Sequence, residues 1–311
     1  MRPTGRFNRP LIAVACAASF VLFGAALARG AARTVTDQAG RTVTVPLNPA
    51  RIISLAPNIT EILFAVGAGG CIVGVSEYSN YPPEAASLPI VGTYIKPNLE
   101  AIISLSPDLV IATADGEKRA EINRLASLGI PVYIINPRTI AGVVSTVREV
   151  GRLAGHERQA DEIASEMAAR IAAIKAKVSS RAPATVLLVL NTNPLITIND
   201  KTFQNEMITA AGGSNIAAGE SIRYPTLTYE EVVVRAPRVI IMTTMSPDED
   251  YRSAVRAWSR FPTVPAVRDG RVFAIDSDLI DRPSPRIVAG LEELARLLHP
   301  EAFGKVPGGD R

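Results

Sequence analysis

Short apolar runs alternate with segments of helical spacing along most of this chain of 311 residues. Each run is about as long as one buried strand, and turn residues separate it from the helical segment that follows. The predicted strands cover residues 51–55, 71–75, 108–112, 132–135, 186–190, 239–243 and 271–275. Because this alternation is typical of parallel sheets covered by helices, we predict an α/β fold.

Two segments resemble each other at a separation of 130 residues. Residues 98–113 and 228–243 each contain a polar residue, a glutamate, a proline and an apolar run that ends in threonine. Both patterns predict a capped short helix, a proline break and a buried strand. Any two strand–helix units share some likeness, but the common spacing favours two lobes that are built in the same way.

A long amphipathic segment separates the two similar regions. Apolar residues recur there at steps of three or four: Ala160, Ile163, Met167, Ile171, Ile174 and Val178. This spacing predicts one helix of about six turns over residues 156–180. We therefore expect an N-terminal lobe at 29–155, the inter-lobe helix at 156–180 and a C-terminal lobe at 181–311. A helical connection is stiffer than a Gly/Ser linker, so the cleft between the lobes should be nearly preformed.

The first 28 residues have the pattern of a secretory signal peptide. Residues 1–10 are basic, residues 11–28 are uncharged and apolar, and small residues precede a predicted cleavage near Ala28. An uncleaved anchor, or a lipid attached at Cys16, is the alternative. The segment holds three of the 33 basic residues and none of the 30 acidic ones. The remaining chain is therefore neutral, which argues against nucleic acid as a partner.

The sequence lacks a recognisable set of catalytic or metal-binding residues. It contains two histidines and two cysteines, and no nucleophile elbow, phosphate-binding loop or His-Glu-x-x-His motif. We therefore predict no catalytic residues, no metal site and a binding protein rather than an enzyme. An exported α/β enzyme that acts on a nucleotide-like substrate is the alternative. Its best support is Asp276-Ser277-Asp278, which we instead interpret as a turn with aspartate caps.

Several motifs resemble those of the class III periplasmic binding proteins of ABC importers, whose members bind iron-siderophore, haem or cobalamin. They are RIISLAPNITEIL at 51–63, GVSEYSNYPP at 74–83, PNLEAI at 97–102, PDLV at 107–110 and DRPSPRI at 281–287. The resemblance spans residues 51–298. It implies two Rossmann-like lobes joined by one long helix, with the ligand cleft between them. It also implies a periplasmic monomer without a cofactor, which delivers a small-molecule metal chelate to a permease dimer with its ATPase subunits. Cobalamin or another corrinoid is the expected ligand, and haem or a ferric siderophore is the alternative.

Ligands of open α/β lobes bind at the carboxyl ends of strands. The predicted ligand-binding residues are therefore Pro57, Asn58, Tyr78, Tyr94, Thr113, Asn193, Tyr224 and Arg282. A planar macrocycle needs broad apolar faces with polar tips, which tyrosine provides. The resemblance places the three tyrosines where the cobalamin-binding members have aromatic contacts. Those members are rich in tryptophan, whereas this chain has tyrosine at 94 and 224, Thr113 for a third tryptophan and Leu190 for a phenylalanine.

Three charged side chains have two interpretations each. By the resemblance, Glu100 and Glu230 are docking carboxylates that face arginines of the permease. Alternatively, they only stabilise the first turn of a short helix. Arg282 either binds an acidic group of the ligand or pairs with Asp278 or Asp281. Glu61, three residues after Asn58, predicts a capping-box arrangement at the start of a helix.

Overall fold

The computed structural model describes residues 31–114, 119–244 and 251–303. The predicted signal peptide lies outside the described residues, as do the outer ends of both predicted lobes. Among the helices of the described ranges, none is both long enough and apolar enough to cross a bilayer.

The N-terminal lobe alternates strands and helices. Its strands are β1 (Ala32–Thr36), β2 (Thr42–Pro46), β3 (Ile52–Ser54), β4 (Ile72–Val75), β5 (Leu109–Thr113) and β6 (Val132–Ile135). Its helices are α1 (Pro57–Ala65), α2 (Leu99–Ser104), α3 (Arg119–Ser127) and α4 (Ile140–Leu153), with 3₁₀ turns at Gly69–Cys71 and Pro83–Ser87.

The helix α5 (Glu157–Val178) leads into the C-terminal lobe. The strands of that lobe are β7 (Ala184–Val189), β8 (Asn191–Thr192), β9 (Leu195–Ile196), β10 (Gly213–Asn215), β11 (Val239–Thr244) and β12 (Val272–Asp276). Its helices are α6 (Phe203–Ala210), α7 (Tyr229–Arg235), α8 (Tyr251–Trp258), α9 (Pro265–Arg268), α10 (Ser277–Ile280), α11 (Ile287–Leu298) and α12 (Pro300–Phe303).

The main sheets of the two lobes have the same strand order. In the part of the chain that the structure describes, the sheets are β4-β3-β5-β6 and β10-β7-β11-β12, and all neighbouring strands are parallel. The strand order reverses direction next to β3 in one lobe and next to β7 in the other. Open α/β sheets bind ligands outside the carboxyl ends of their strands at such reversals. Each lobe therefore presents one binding edge, and the predicted two-lobe α/β fold is confirmed.

The two similar sequence segments occupy equivalent places in these sheets. Asn98 caps α2 by accepting a hydrogen bond from the Ala101 amide, and Thr228 caps α7 by accepting one from the Glu231 amide. Each helix is followed by the third strand of its sheet, β5 or β11. The predicted repeat of helix, break and buried strand is confirmed.

All seven predicted strands are present, each within two residues of its predicted ends. Every residue of β5 and β6 is buried. Helices cover both faces of a parallel sheet, so its strands are apolar throughout rather than alternating. This is why continuous apolar runs identified them correctly.

The helix α5 connects the lobes through one apolar face. Its buried residues are Ala160, Ala164, Met167, Ile171, Ile174 and Val178. The predicted Ile163 is partly buried and packs against the same core, which Ala164 also joins. The helix packs on α4 of the N-terminal lobe and on α11 of the C-terminal lobe. A side chain at Gly151 of α4 would collide with Ala160, so glycine permits this close approach. One apolar cluster consequently runs from one lobe through α5 into the other.

The sequence analysis missed the hairpin formed by β1 and β2. These strands pair antiparallel, and the buried Asp37 holds the turn by accepting hydrogen bonds from the amides of Ala39 and Arg41. The sequence feature that indicates this hairpin is the alternation of threonine and valine on both sides of Gly40. The strands were overlooked because alternating strands differ from the continuous apolar runs of the main sheets.

Candidate ligand-binding cleft

A cleft of about 830 Å³ lies between the lobes, a volume in the upper part of the range for small-molecule sites. On the N-terminal side it is lined by Pro57, Asn58, Glu77, Tyr78, Tyr94, Thr113 and residues 135–138. On the C-terminal side it is lined by Leu190, residues 201–204, Arg223, Tyr224, Thr243, Thr244, Ser277, Asp278 and residues 281–283.

The strand order explains why these residues meet. In the N-terminal lobe, Pro57 follows β3 and Thr113 ends β5. In the C-terminal lobe, Leu190 follows β7, Thr243 lies near the end of β11 and Asp278 follows β12. Since parallel strands end at the same edge, each sheet delivers its loops to one side of the cleft. The two binding edges face each other across it.

The cleft brings together most of the predicted ligand-binding residues. Those in its wall are Pro57, Asn58, Tyr78, Tyr94, Thr113, Tyr224 and Arg282. Asn193 is exposed at the turn between β8 and β9 and does not belong to the described cleft wall. The contact of each residue with a ligand stays a prediction.

Tyr78 is held in an unusual backbone conformation at the cleft. Its φ is 64° and the residue is 58 % exposed. A left-handed conformation costs a non-glycine residue about 1 kcal/mol. The loop is fixed from the inside, because the Ser76 amide donates to the Ser54 carbonyl oxygen and the Glu77 amide donates to that of Gly92. The strained residue is therefore anchored to the sheet, and its phenol lines the cleft.

Tyr94 and Tyr224 provide aromatic surface on opposite lobes. Tyr94 packs partly against the core, and its phenol oxygen accepts a hydrogen bond from the Thr113 hydroxyl over 3.2 Å. Tyr224 is half-exposed and lies in a loop that is tied to the residues after β9 by two backbone hydrogen bonds. The cleft thus has a tyrosine ring in each wall, as a flat ligand requires.

A cluster that we call the Glu61 network joins the lobes at the cleft. Glu61 of α1 has a side chain only 2 % exposed. Its carboxylate accepts hydrogen bonds from Arg282 Nη1 at 3.0 Å, Arg286 Nη1 at 3.2 Å and Ser284 Oγ at 2.5 Å. Arg282 also pairs with Asp278 Oδ1 at 2.8 Å. Donors of one lobe thereby neutralise a buried acid of the other.

This network corrects one sequence interpretation and shows one of the ion pairs predicted for Arg282. Glu61 does not form a capping box, because Ala56 is the N-cap of α1 and the Glu61 carboxylate faces the other lobe. Arg282 pairs with Asp278, one of the two predicted alternatives, and also with Glu61. Glu61 and Arg282 are 221 positions apart in the sequence, so no local pattern pointed to their contact. The cap predicted at Asp276 is confirmed, since its carboxylate accepts from the Asp278 amide.

The structure also places charged residues in the wall that sequence reasoning missed. Lys201 and Arg223 are exposed there, and Asp281 lies deeper in the same wall. Burial raises the pKa of Asp281 to about 6, and the neighbouring Asp278 adds to the rise. Burial is also the main reason why the pKa of Asp278 is raised. The sequence could indicate only that a residue lies in a loop after a strand. Such a position does not show which charged side chain faces the cleft.

Glu100 and Glu230 are exposed on α2 and α7. Other side chains cap both helices: Asn98 caps α2, and Thr228 with Glu231 forms a capping box on α7. Neither Glu100 nor Glu230 has an ion-pair partner in the described parts of the chain. Neither of these two carboxylates is therefore used to cap its own helix.

Two α/β lobes of the same strand order, joined by a helix and facing one cleft, define a bilobal solute-binding protein. A family model for the periplasmic binding protein matches residues 52–279. The chain belongs to this family, in its class III, as the sequence motifs predicted.

Similar proteins occur among sequence relatives, and solved structures share the fold. The vitamin B12-binding protein of Yersinia pestis strain Pestoides F is 32 % identical over 255 residues, which cover 82 % of this chain and 88 % of that protein. The periplasmic vitamin B12 binding protein BtuF of Vibrio cholerae matches with a TM-score of 0.74 and 30 % identity, covering 84 % of this chain and 100 % of that one. The periplasmic heme-binding protein RhuT of Roseiflexus sp. RS-1 matches with a TM-score of 0.72 and 29 % identity, covering 81 % and 98 %.

Proposed function

We propose that this chain captures a corrinoid, with cobalamin as the expected form, and delivers it to the permease of an ABC importer. The cleft carries this proposal, because Tyr94 and Tyr224 offer aromatic surface from opposite walls of a volume near 830 Å³. Relatives that are named vitamin B12-binding proteins support the choice of ligand.

Haem is the second candidate, and two observations favour it. Solved neighbours include heme-binding proteins at 29 % and 25 % identity. The exposed phenol of Tyr78 is of a type that can ligate haem iron.

The setting of the proposed function is the periplasm. The apolar run at 11–28 supports export with cleavage near Ala28. The exposed Glu100 and Glu230 support docking of one lobe on each half of a permease dimer with its ATPase subunits, since opposite charges orient such encounters. The chain itself acts by binding and release and makes no bonds.

Calorimetry with cyanocobalamin, hemin and a ferric hydroxamate tests the proposal. We expect cyanocobalamin to bind in one-to-one stoichiometry with a Kd below about 1 μM, because the cleft is nearly preformed, and to be recovered unchanged. Tight binding of hemin with no binding of cyanocobalamin would establish the second candidate instead. Formation of a new product would identify an enzyme.

A pair of variants locates the binding in the cleft. Tyr224→Ala should weaken cyanocobalamin binding about tenfold, since an aromatic contact contributes about 1.5 kcal/mol. Ile222 is exposed in the same loop but outside the cleft wall, so Ile222→Ala is the matched control and should bind as the wild type does. Equal losses in both variants would place the ligand elsewhere.

A further inference from the structure

Asp281 and Gln204 lie side by side in the C-terminal wall of the cleft. Gln204 Nε2 donates a hydrogen bond to Asp281 Oδ1 over 3.1 Å, and Thr243 also hydrogen-bonds the carboxyl group. Gln204 is only 6 % exposed, and its Oε1 has no hydrogen-bond partner among the described residues. A buried amide oxygen without a partner is costly, so a donor supplied by a ligand would relieve it.

Asp281 has no ion-pair partner among the described residues. The described ranges contain no lysine or arginine within ion-pair distance of it, and the adjacent Arg282 is engaged by Glu61 and Asp278. The groups that face it are Gln204, Thr243 and the like-charged Asp278. Burial raises its pKa to about 6, so the group is mainly ionised at neutral pH. An uncompensated carboxylate that is largely withdrawn from water destabilises the fold.

The hydrogen-bonding atoms that Asp281 and Gln204 have left to offer a ligand are acceptors. The Asp281 carboxylate and the Gln204 amide oxygen both accept, so they favour N–H groups and disfavour a ligand carboxylate. Lys201 and Arg223, exposed in the same lobe, can serve an acidic group elsewhere on the ligand. A corrin ring carries side chains around its whole edge, so some of them must face Asp281 and Gln204.

We infer that Asp281 and Gln204 select a corrinoid whose ring side chains end in primary amides over one whose side chains end in carboxylates. This inference rests on the proposed function and specifies the chemistry of its ligand. Asp281 acts as the specificity-determining residue, and Gln204 orients its carboxylate and adds a second acceptor.

Two corrinoids with the same ring test the inference. Dicyanocobinamide has amide side chains, and dicyanocobyrinic acid has carboxylates in their place. At about pH 7.5 we expect the wild type to bind the amide form at least about 30-fold more tightly.

Asp281→Asn should reduce this preference about tenfold, because the repulsion of ligand carboxylates is lost. Asp200, exposed near the cleft but outside its wall, provides the control Asp200→Asn, which should keep the wild-type preference.

Thermal unfolding of Asp281→Asn separates selectivity from folding. The folded pKa of about 6 lies above the ordinary value of 3.8, so the wild type loses stability as the pH rises through 6. Asp281→Asn should therefore have a higher Tm than the wild type near pH 7.5, with a smaller gain near pH 4.

The outcomes separate the inference from the proposed function. Equal affinities of the wild type for the two corrinoids, an unchanged preference in Asp281→Asn, or a lower Tm of this variant near neutral pH would overturn the inference and leave corrinoid binding intact. Failure of the wild type to bind either corrinoid would overturn the proposed function and the inference with it.

Discussion

Replacing both Glu100 and Glu230 with alanine is expected to abolish corrinoid uptake by cells while the purified protein keeps its ligand affinity within about twofold. The two side chains are exposed, lie on equivalent helices of the two lobes and take no part in the helix caps. Their removal should leave the cleft and the fold intact and disrupt only the encounter with the permease. The measurement is uptake of labelled cyanocobalamin by the source organism carrying the variant gene, with calorimetry on the purified variant.

Exposed glutamates away from α2 and α7 provide the control for this experiment. Glu84 lies in a 3₁₀ turn, and Glu162 lies on α5, where its ion-pair partner among the described residues is the exposed Arg158. The variant Glu84→Ala with Glu162→Ala carries the same change in net charge and should transport normally. Normal uptake by the Glu100 and Glu230 double variant would refute the docking role.

Glu61→Ala should lower the free energy of unfolding by about 3–5 kcal/mol, because it removes the buried carboxylate that two largely buried cations share. Arg282 and Arg286 would lose the shared carboxylate, and Ser284 its acceptor, at a place where little water can replace them. Asp278 still faces both arginines, so the lower end of this range is expected. Urea unfolding of the purified protein measures the change.

A surface ion pair is the matched comparison for Glu61. Glu292 lies at the partly exposed surface of α11 and pairs with Arg296 at 2.6 Å and with Arg170 of α5 at 3.4 Å. Because these cations are half-exposed, Glu292→Ala should cost less than about 1 kcal/mol. A loss of less than about 1 kcal/mol for Glu61→Ala as well would mean that this network does not hold the lobes together.

The sequence contained enough information to predict the architecture. Continuous apolar runs identify strands that are buried on both faces, and the spacing from Ala160 to Val178 identifies α5. The shared spacing of residues 98–113 and 228–243 predicted two lobes that are built in the same way, and their common strand order confirms it. Such patterns are local or periodic, which is why a single sequence reveals them.

The candidate site was predictable only in part. The expectation that a ligand binds at the carboxyl ends of strands correctly placed Pro57, Tyr78 and Thr113 in the cleft wall, because topology alone brings strand ends together. Asn193 also follows a strand, but the short β8–β9 hairpin carries it away from the cleft wall.

Contacts between distant residues account for what the sequence could not predict. Glu61 meets Arg282 across 221 positions, and Gln204 meets Asp281 across 77. Neither pair has a local spacing that could reveal it. The capping-box prediction for Glu61 failed for this reason. Asn58 was a plausible local partner, whereas the carboxylate pairs with the distant Arg282 and Arg286.

A crystal structure of the chain with cyanocobalamin tests the central claim most directly. We predict one corrinoid between the lobes, with its ring against Tyr94 and Tyr224, its side-chain amides at Asp281 and Gln204, and every covalent bond of the ligand intact. A corrinoid bound outside this cleft, or a chemically altered ligand within it, would contradict the account.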